Sequence, residues 1–134
     1  MAVAAAAEYP RPRRGVAATR LRGPSPQVRA GANVAGPDDE IAPRTAVGTT
    51  VDGRLLSLVV DGCEPSKHCR FDLGMTPIEF GDRLVAEGAY HAINLDGGGS
   101  STVAIDGHVV NHPTNTDDWL LKQERGVTNI VCVG

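Results

Sequence analysis

Acidic residues are almost absent from the start of this chain. Over residues 1–37 a single acid, Glu8, stands against six arginines, Arg11, Arg13, Arg14, Arg20, Arg22 and Arg29, which gives a formal charge of +5 in a 134-residue chain of net charge −3. The rest of the chain therefore carries −8. Serine is equally scarce there: Ser25 is the only one, whereas organellar transit peptides are rich in both arginine and serine. The apolar run over residues 2–7 is short, follows no basic segment and is cut off by Glu8, so no secretory signal is expected there. No run approaches the ~20 apolar residues of a membrane span. Aromatic residues make up 4% of the chain and Tyr9 is the only one in the basic head, which also lacks any nucleic-acid-binding motif, so no nucleic-acid partner is expected.

The head also lacks periodic apolar residues, and without them nothing offsets the entropy of ordering the backbone. Residues 1–42 are expected to be a disordered basic segment rich in Pro, Ala and Arg, and residues 43–134 the folded domain. The length suits one domain with a real core. Of three cysteines, Cys63 and Cys69 lie close enough to clip one loop, while Cys132 sits in an apolar strand pattern and reads as a small buried hydrophobe. A disulfide between Cys63 and Cys69 would favour an oxidising compartment.

Past Pro43 the sequence is well punctuated. Residues 45–50 and 55–60 read as strands joined by a turn containing Asp52-Gly53, a pair that supplies the positive φ of a tight hairpin. A second Asp-Gly pair, Asp61-Gly62, ends the next strand, and residues 63–74 read as a surface loop. One helix then has both ends marked. Thr76 is its N-cap, Pro77 its first residue and Glu79 the partner in a capping box, with Gly88 just past its end. Ile78, Phe80, Leu84 and Val85 can share its apolar face, and Gly81 weakens it slightly. Strands are expected over 90–95, 102–105 and 108–111, the last two joined by Asp106-Gly107, and a final apolar strand over 127–133. A mixed or antiparallel sheet with one main helix packed on it makes an α+β two-layer domain.

The run Asn94-Leu95-Asp96-Gly97-Gly98-Gly99-Ser100-Ser101-Thr102 carries the chemistry. A carboxylate ends an apolar strand, and three glycines follow whose amides can face an oxyanion without side chains in the way. The β-branched residues after it form a strand and not a helix, so no helix N-terminus points at the loop as in a nucleotide site. In most proteins such a glycine run is simply a hairpin connection.

The longer pattern resembles the phosphodiester glycosidase family. Pro43-Arg44-Thr45-Ala46-Val47-Gly48 is similar to the family's first strand, Val59-Val60-Asp61-Gly62 to its Asp-Gly strand end, and a helix and the glycine signature follow in the family's order. His112-Pro113-Thr114-Asn115 is similar to its Pro-Ser-Asp segment, and Arg125 to Asn129 to its Arg-x-Val-x-Asn run. An Asn-Gly-Gly-Phe-Phe-like segment of the family's N-terminal half has no counterpart in this sequence.

The resemblance implies hydrolysis of a sugar-1-phosphodiester, such as an N-acetylglucosamine-1-phospho-sugar, to free sugar and a phosphomonoester. A phosphate leaving group needs positive charge and amides more than it needs a proton. The resemblance assigns that task to Arg44, Arg125 and the loop Gly97, Gly98, Gly99, Ser100 and Ser101. Asp96 is the first catalytic candidate, as stabiliser of an oxocarbenium-like transition state, nucleophile or base for water. Asp61 is the second, though the first position of an Asp-Gly turn accounts for it more readily. His112 and Trp119 are candidates for the border of a sugar site. No cofactor is expected. A carboxylate beside a phosphate must face the sugar or share a divalent cation with it, and both arrangements stay open. Cys63, His68 and Cys69 lack a fourth metal ligand, so no metal site is expected. Two further readings stand beside the enzyme: a truncated, non-catalytic carbohydrate-phosphate-binding domain, and self-association through exposed sheet edges. By family analogy the compartment is the secretory pathway.

Overall fold

The computed structural model describes residues 2–8, 25–63, 73–114 and 123–133. Strands β1 (Ala2–Glu8), β2 (Pro26–Arg29), β3 (Ala32–Asn33), β4 (Arg44–Thr50), β5 (Arg54–Val60) and β6 (Ala89–Asn94) form one sheet in the order β1-β5-β4-β6-β2-β3. Every neighbouring pair is antiparallel. Helix α1 (Pro77–Ala86) connects β5 to β6, and β7 (Ala104–Ile105) and β8 (His108–Val109) form a separate hairpin. The domain is α+β, an antiparallel sheet with one helix packed on it.

Strand alternation explains which residues meet the helix. Ala46, Leu56, Leu58, Val60, Ala92 and Val28 project to one face and bury with Phe80 and Leu84 of α1, both fully inaccessible. Each buried side chain of that size contributes about 1.5–3 kcal/mol relative to exposure. Ile78, expected on the same helix face, points outward and is 44% exposed, because the apolar arc is centred on Phe80 and Leu84.

The local punctuation works as read. The Thr76 side chain accepts from the Glu79 amide while the Glu79 carboxylate accepts from the Thr76 amide, and Gly88 takes φ +89° just past the helix. Asp106 and Gly107 both take positive φ, +50° and +76°, as a type I′ turn requires. In the β4–β5 turn, Gly53 supplies φ +88° and its amide donates to the Thr50 carbonyl at 3.0 Å.

Three strands fall within residues 1–42, the expected disordered head. Strand β1 pairs with β5 from Ala2↔Val60 to Glu8↔Arg54, and residues 9–24 lie outside the described residues. The β2–β3 hairpin is ordered by tertiary contacts that its composition does not announce. Val28 enters the core, Gln27 donates from its side-chain amide to the Pro77 carbonyl, and Asn33 Nδ2 donates to the Ile78 carbonyl at 2.9 Å and to Asp82 Oδ1 at 2.8 Å. Asn33 lies so close to Gly81 that a Cβ there would stand 2.1 Å from its Oδ1. Gly81 is thus required by packing, beyond the small helix penalty expected of it.

The other end of the chain differs from expectation too. Residues 127–133 form no strand, Ile130 is 76% exposed and Cys132 is exposed and free. Alternating β-branched residues make a strand only where a sheet edge receives them, and none of the described edges pairs with this segment. Cys63, in contrast, is buried and disulfide-bonded. Cys69 and His68 lie outside the described residues.

Candidate functional site

Topology gathers the site. Strand β4 lies between β5 and β6 and runs antiparallel to both, so its beginning is flanked by their ends. Arg44 begins β4, Asp61 follows β5 directly, and Leu95 and Asp96 follow β6. All three charged residues therefore share one edge of the sheet, with the β5 and β6 backbones two strand spacings apart, about 9–10 Å.

The glycine loop closes against that edge. The Leu95 amide donates to the Thr45 carbonyl at 2.8 Å and the Gly98 amide to the Pro43 carbonyl at 3.1 Å. A Cβ at Gly97 would stand 2.5 Å from that same carbonyl oxygen, so the loop can lie this close to the chain entering β4 only with glycine there. Gly98–Ser100 form a single 3-10 turn, in which the amides of Ser100 and Ser101 donate to the carbonyls of Gly97 and Gly98, each at 3.1 Å. The Gly97 amide donates to Asp96 Oδ1 at 3.1 Å. The amides of Gly97, Gly98, Ser100 and Ser101 thus already have acceptors within the protein, and phosphate binding by them requires an exchange of partners.

Asp96 is exposed, and both its oxygens accept: Oδ1 from Gly97 and Oδ2 from the Ser100 hydroxyl at 2.7 Å. These two bonds fix the plane of the carboxylate while leaving it lone pairs toward solvent. Asp61 is in the opposite situation. It is 5% exposed, and its Oδ1 accepts from Asn111 Nδ2 at 2.8 Å and from the His112 amide at 3.0 Å. The two candidate carboxylates therefore differ in access, one open and one enclosed.

The arginines border the loop differently. Arg44 donates from Nε to the Met75 carbonyl at 3.1 Å and from Nη2 to the Glu40 carbonyl, which ties the start of β4 to the segment before α1. Two of the five donors of its guanidinium are used in this way. Arg125 meets the loop through its main chain, its amide donating to the Gly99 carbonyl at 3.0 Å. Ser101, at the loop's end, is 1% exposed and its hydroxyl accepts from Thr45 Oγ1 at 3.0 Å.

Arg44, Asp61, Asp96, the loop 97–101 and Arg125 are thus brought together. Two neighbours were not among the candidate site residues read from the sequence. Asn111 bonds Asp61 and the Ser101 carbonyl at once, and Thr114 Oγ1 donates to the Gly62 carbonyl at 2.6 Å. An Asn and a Thr beside a proline read as loop residues, and no local pattern reveals partners 50 and 52 positions away. Trp119 lies outside the described residues. Among the described residues no three His, Cys, Asp or Glu side chains converge as metal ligands, and no helix is long and apolar enough to cross a membrane.

These features describe an α+β domain with a carboxylate-bearing glycine loop at one sheet edge. The sequence model of the phosphodiester glycosidase family matches residues 2–134, and the chain belongs to that family. Over 94 residues it is 35% identical to the N-acetylglucosamine-1-phosphodiester alpha-N-acetylglucosaminidase of Bos taurus and 32% identical to that of Homo sapiens. Each match takes in 69% of this chain and 17% of the relative. Among solved structures it is similar to the zebrafish N-acetylglucosamine-1-phosphodiester alpha-N-acetylglucosaminidase catalytic domain, auto-inhibited by its pro-peptide. The TM-score is 0.61 and the identity 26%, over 76% of this chain and 38% of that one.

Proposed function

We propose that this domain hydrolyses a sugar-1-phosphodiester, such as an N-acetylglucosamine-1-phospho-sugar, to free sugar and a phosphomonoester. The observation that carries the reading is the exposed, doubly hydrogen-bonded Asp96 on the same sheet edge as Arg44 and Arg125, in a chain of this family. Water adds to the anomeric carbon, the bond from that carbon to the phosphate oxygen breaks, and the bonding pair leaves with the phosphate. Asp96 serves the anomeric carbon, as nucleophile or as base for the water, and the two roles give retained or inverted stereochemistry in the released sugar. Arg44 and Arg125 attract the phosphate, with the loop amides of 97–101 as further donors once they exchange partners. Turnover with and without a chelator separates cation bridging from direct contact.

The deciding experiment measures free sugar released by wild type and by Asp96→Asn. A loss of about 10²–10⁴-fold in rate is expected, and equal rates would overturn the assignment. A second reading, binding of sugar phosphates without turnover, is favoured by one observation: of the two candidate carboxylates only Asp96 is open to a ligand, while Asp61 is 5% exposed. Calorimetry then shows heat of binding that weakens in Arg44→Ala or Arg125→Ala, with no sugar released. The buried disulfide at Cys63 supports an oxidising, secretory-pathway compartment.

A further inference from the structure

We infer that Asn111 is a positioning residue that locks the glycine loop, with Asp61 acting through it and not on the substrate. The inference rests on the reading of the Asp96 loop as the reacting site. Gly97–Gly99 bring large backbone freedom to the loop, so something must hold its exit. Asn111 does so with its whole side chain. Nδ2 donates to the Ser101 carbonyl at 2.7 Å and to Asp61 Oδ1 at 2.8 Å, while Oδ1 accepts from the Val103 amide at 2.8 Å.

A carboxamide carries two donor hydrogens and one carbonyl oxygen, and all of them are engaged here. The partners also determine its orientation, because the Ser101 carbonyl and Asp61 only accept on this side and Val103 N–H only donates on the other. Asn111 is 3% exposed, so water cannot replace a lost partner readily. Asp61, held also by the His112 amide, supplies the acceptor that orients the amide. Asp61 is thereby a positioning carboxylate: its order passes through Asn111 to Ser101, and along the 3-10 turn to Ser100, whose hydroxyl holds Asp96.

The substitution Asn111→Asp gives a readout that a merely structural role lacks. It places a second carboxylate against Asp61 and the Ser101 carbonyl, both acceptors. Two carboxylates at contact distance share one proton at low pH, and they repel each other once it leaves as pH rises. Loop order in this variant, read as the ratio to wild type at each pH so that Asp96 and the other ionisable groups common to both cancel, is expected at acid pH and lost toward neutral pH.

The test is amide hydrogen exchange at Gly98, Ser100 and Ser101 in the full chain, normalised to amides of β4 and β5. Asn111→Ala is expected to speed loop exchange about tenfold or more, the kinetic equivalent of one lost buried hydrogen bond. Thr114→Val removes a comparable bond, to the Gly62 carbonyl, that does not reach the loop, and is expected to leave loop exchange within about twofold of wild type. If Asn111→Ala is unfolded, the acid-to-neutral profile of Asn111→Asp decides alone. Unchanged loop exchange in Asn111→Ala, equal acceleration in Thr114→Val, or a flat pH profile in Asn111→Asp overturns the inference. Where wild type releases sugar, the Asn111 variants lower kcat with KM little changed. Where it does not, the hydrolase reading fails and the exchange data still judge Asn111.

Discussion

Replacing Gly81 with alanine should destabilise this protein, against the ordinary behaviour of a helix interior. On propensity alone the change gains about 1 kcal/mol, because glycine is the poorest helix former after proline. The new methyl, however, would lie 2.1 Å from Asn33 Oδ1 and 2.4 Å from its Cγ, and Asn33 has to move. Its side chain holds three bonds, to the Ile78 carbonyl, to Asp82 and, through Oδ1, from the Ala35 amide. At about 0.5–1 kcal/mol each near the surface, their loss costs about 1.5–3 kcal/mol. The net expectation is destabilisation by about 0.5–2 kcal/mol, a fall of several degrees in Tm for a domain of this size. The sign should reverse in an Asn33→Ala background, where the bonds are already gone and Gly81→Ala keeps its gain of about 1 kcal/mol. Urea melts of the wild type, both single variants and the double variant close the cycle. Stabilisation by Gly81→Ala in both backgrounds would refute the docking of the β2–β3 hairpin on α1.

Two further outcomes follow from local chemistry. The Thr76 backbone amide, then its hydroxyl, hold the Glu79 carboxyl below its ordinary value. A depressed folded-state pKa stabilises the fold above the unfolded value, and the contribution is lost as pH falls through the folded value, so wild type should lose stability in acid over a range where Glu79→Gln is flatter. Thermal melts of both proteins from pH 7 down to pH 3 check this. Cys63→Ser should lower stability by about 2–4 kcal/mol in non-reducing buffer, and reductant should bring wild type down to the variant. A wild-type melt insensitive to reductant would contradict the disulfide.

The features legible in the sequence are those set by neighbours along the chain. Thr76, Pro77, Glu79 and Gly88 marked both ends of α1, and the Asp-Gly pairs at 52–53 and 106–107 marked two turns, because a cap or a turn is satisfied within four residues. Features set by distant partners were not legible. Pro26–Arg29 looks like part of a disordered arginine-rich head until Gln27 and Val28 are seen against α1 and the core. Residues 127–133 have the pattern of a strand, but a pattern cannot state whether an edge is there to receive it. The site divides the same way. The glycine signature placed Asp96 and its loop, while Asn111, which bonds residues 50 and 10 positions away, carries no local signature.

The placement of β4 between β5 and β6 has a consequence for engineering. The site lies where β4 begins, and the Val51–Gly53 turn lies where it ends, about 20 Å away along a seven-residue strand. Val51 and Asp52 are exposed, and the turn's bonds are made within residues 50–54. A reporter peptide or a new pair of chain termini can therefore be introduced at this turn, leaving the candidate site at the other end of β4 undisturbed.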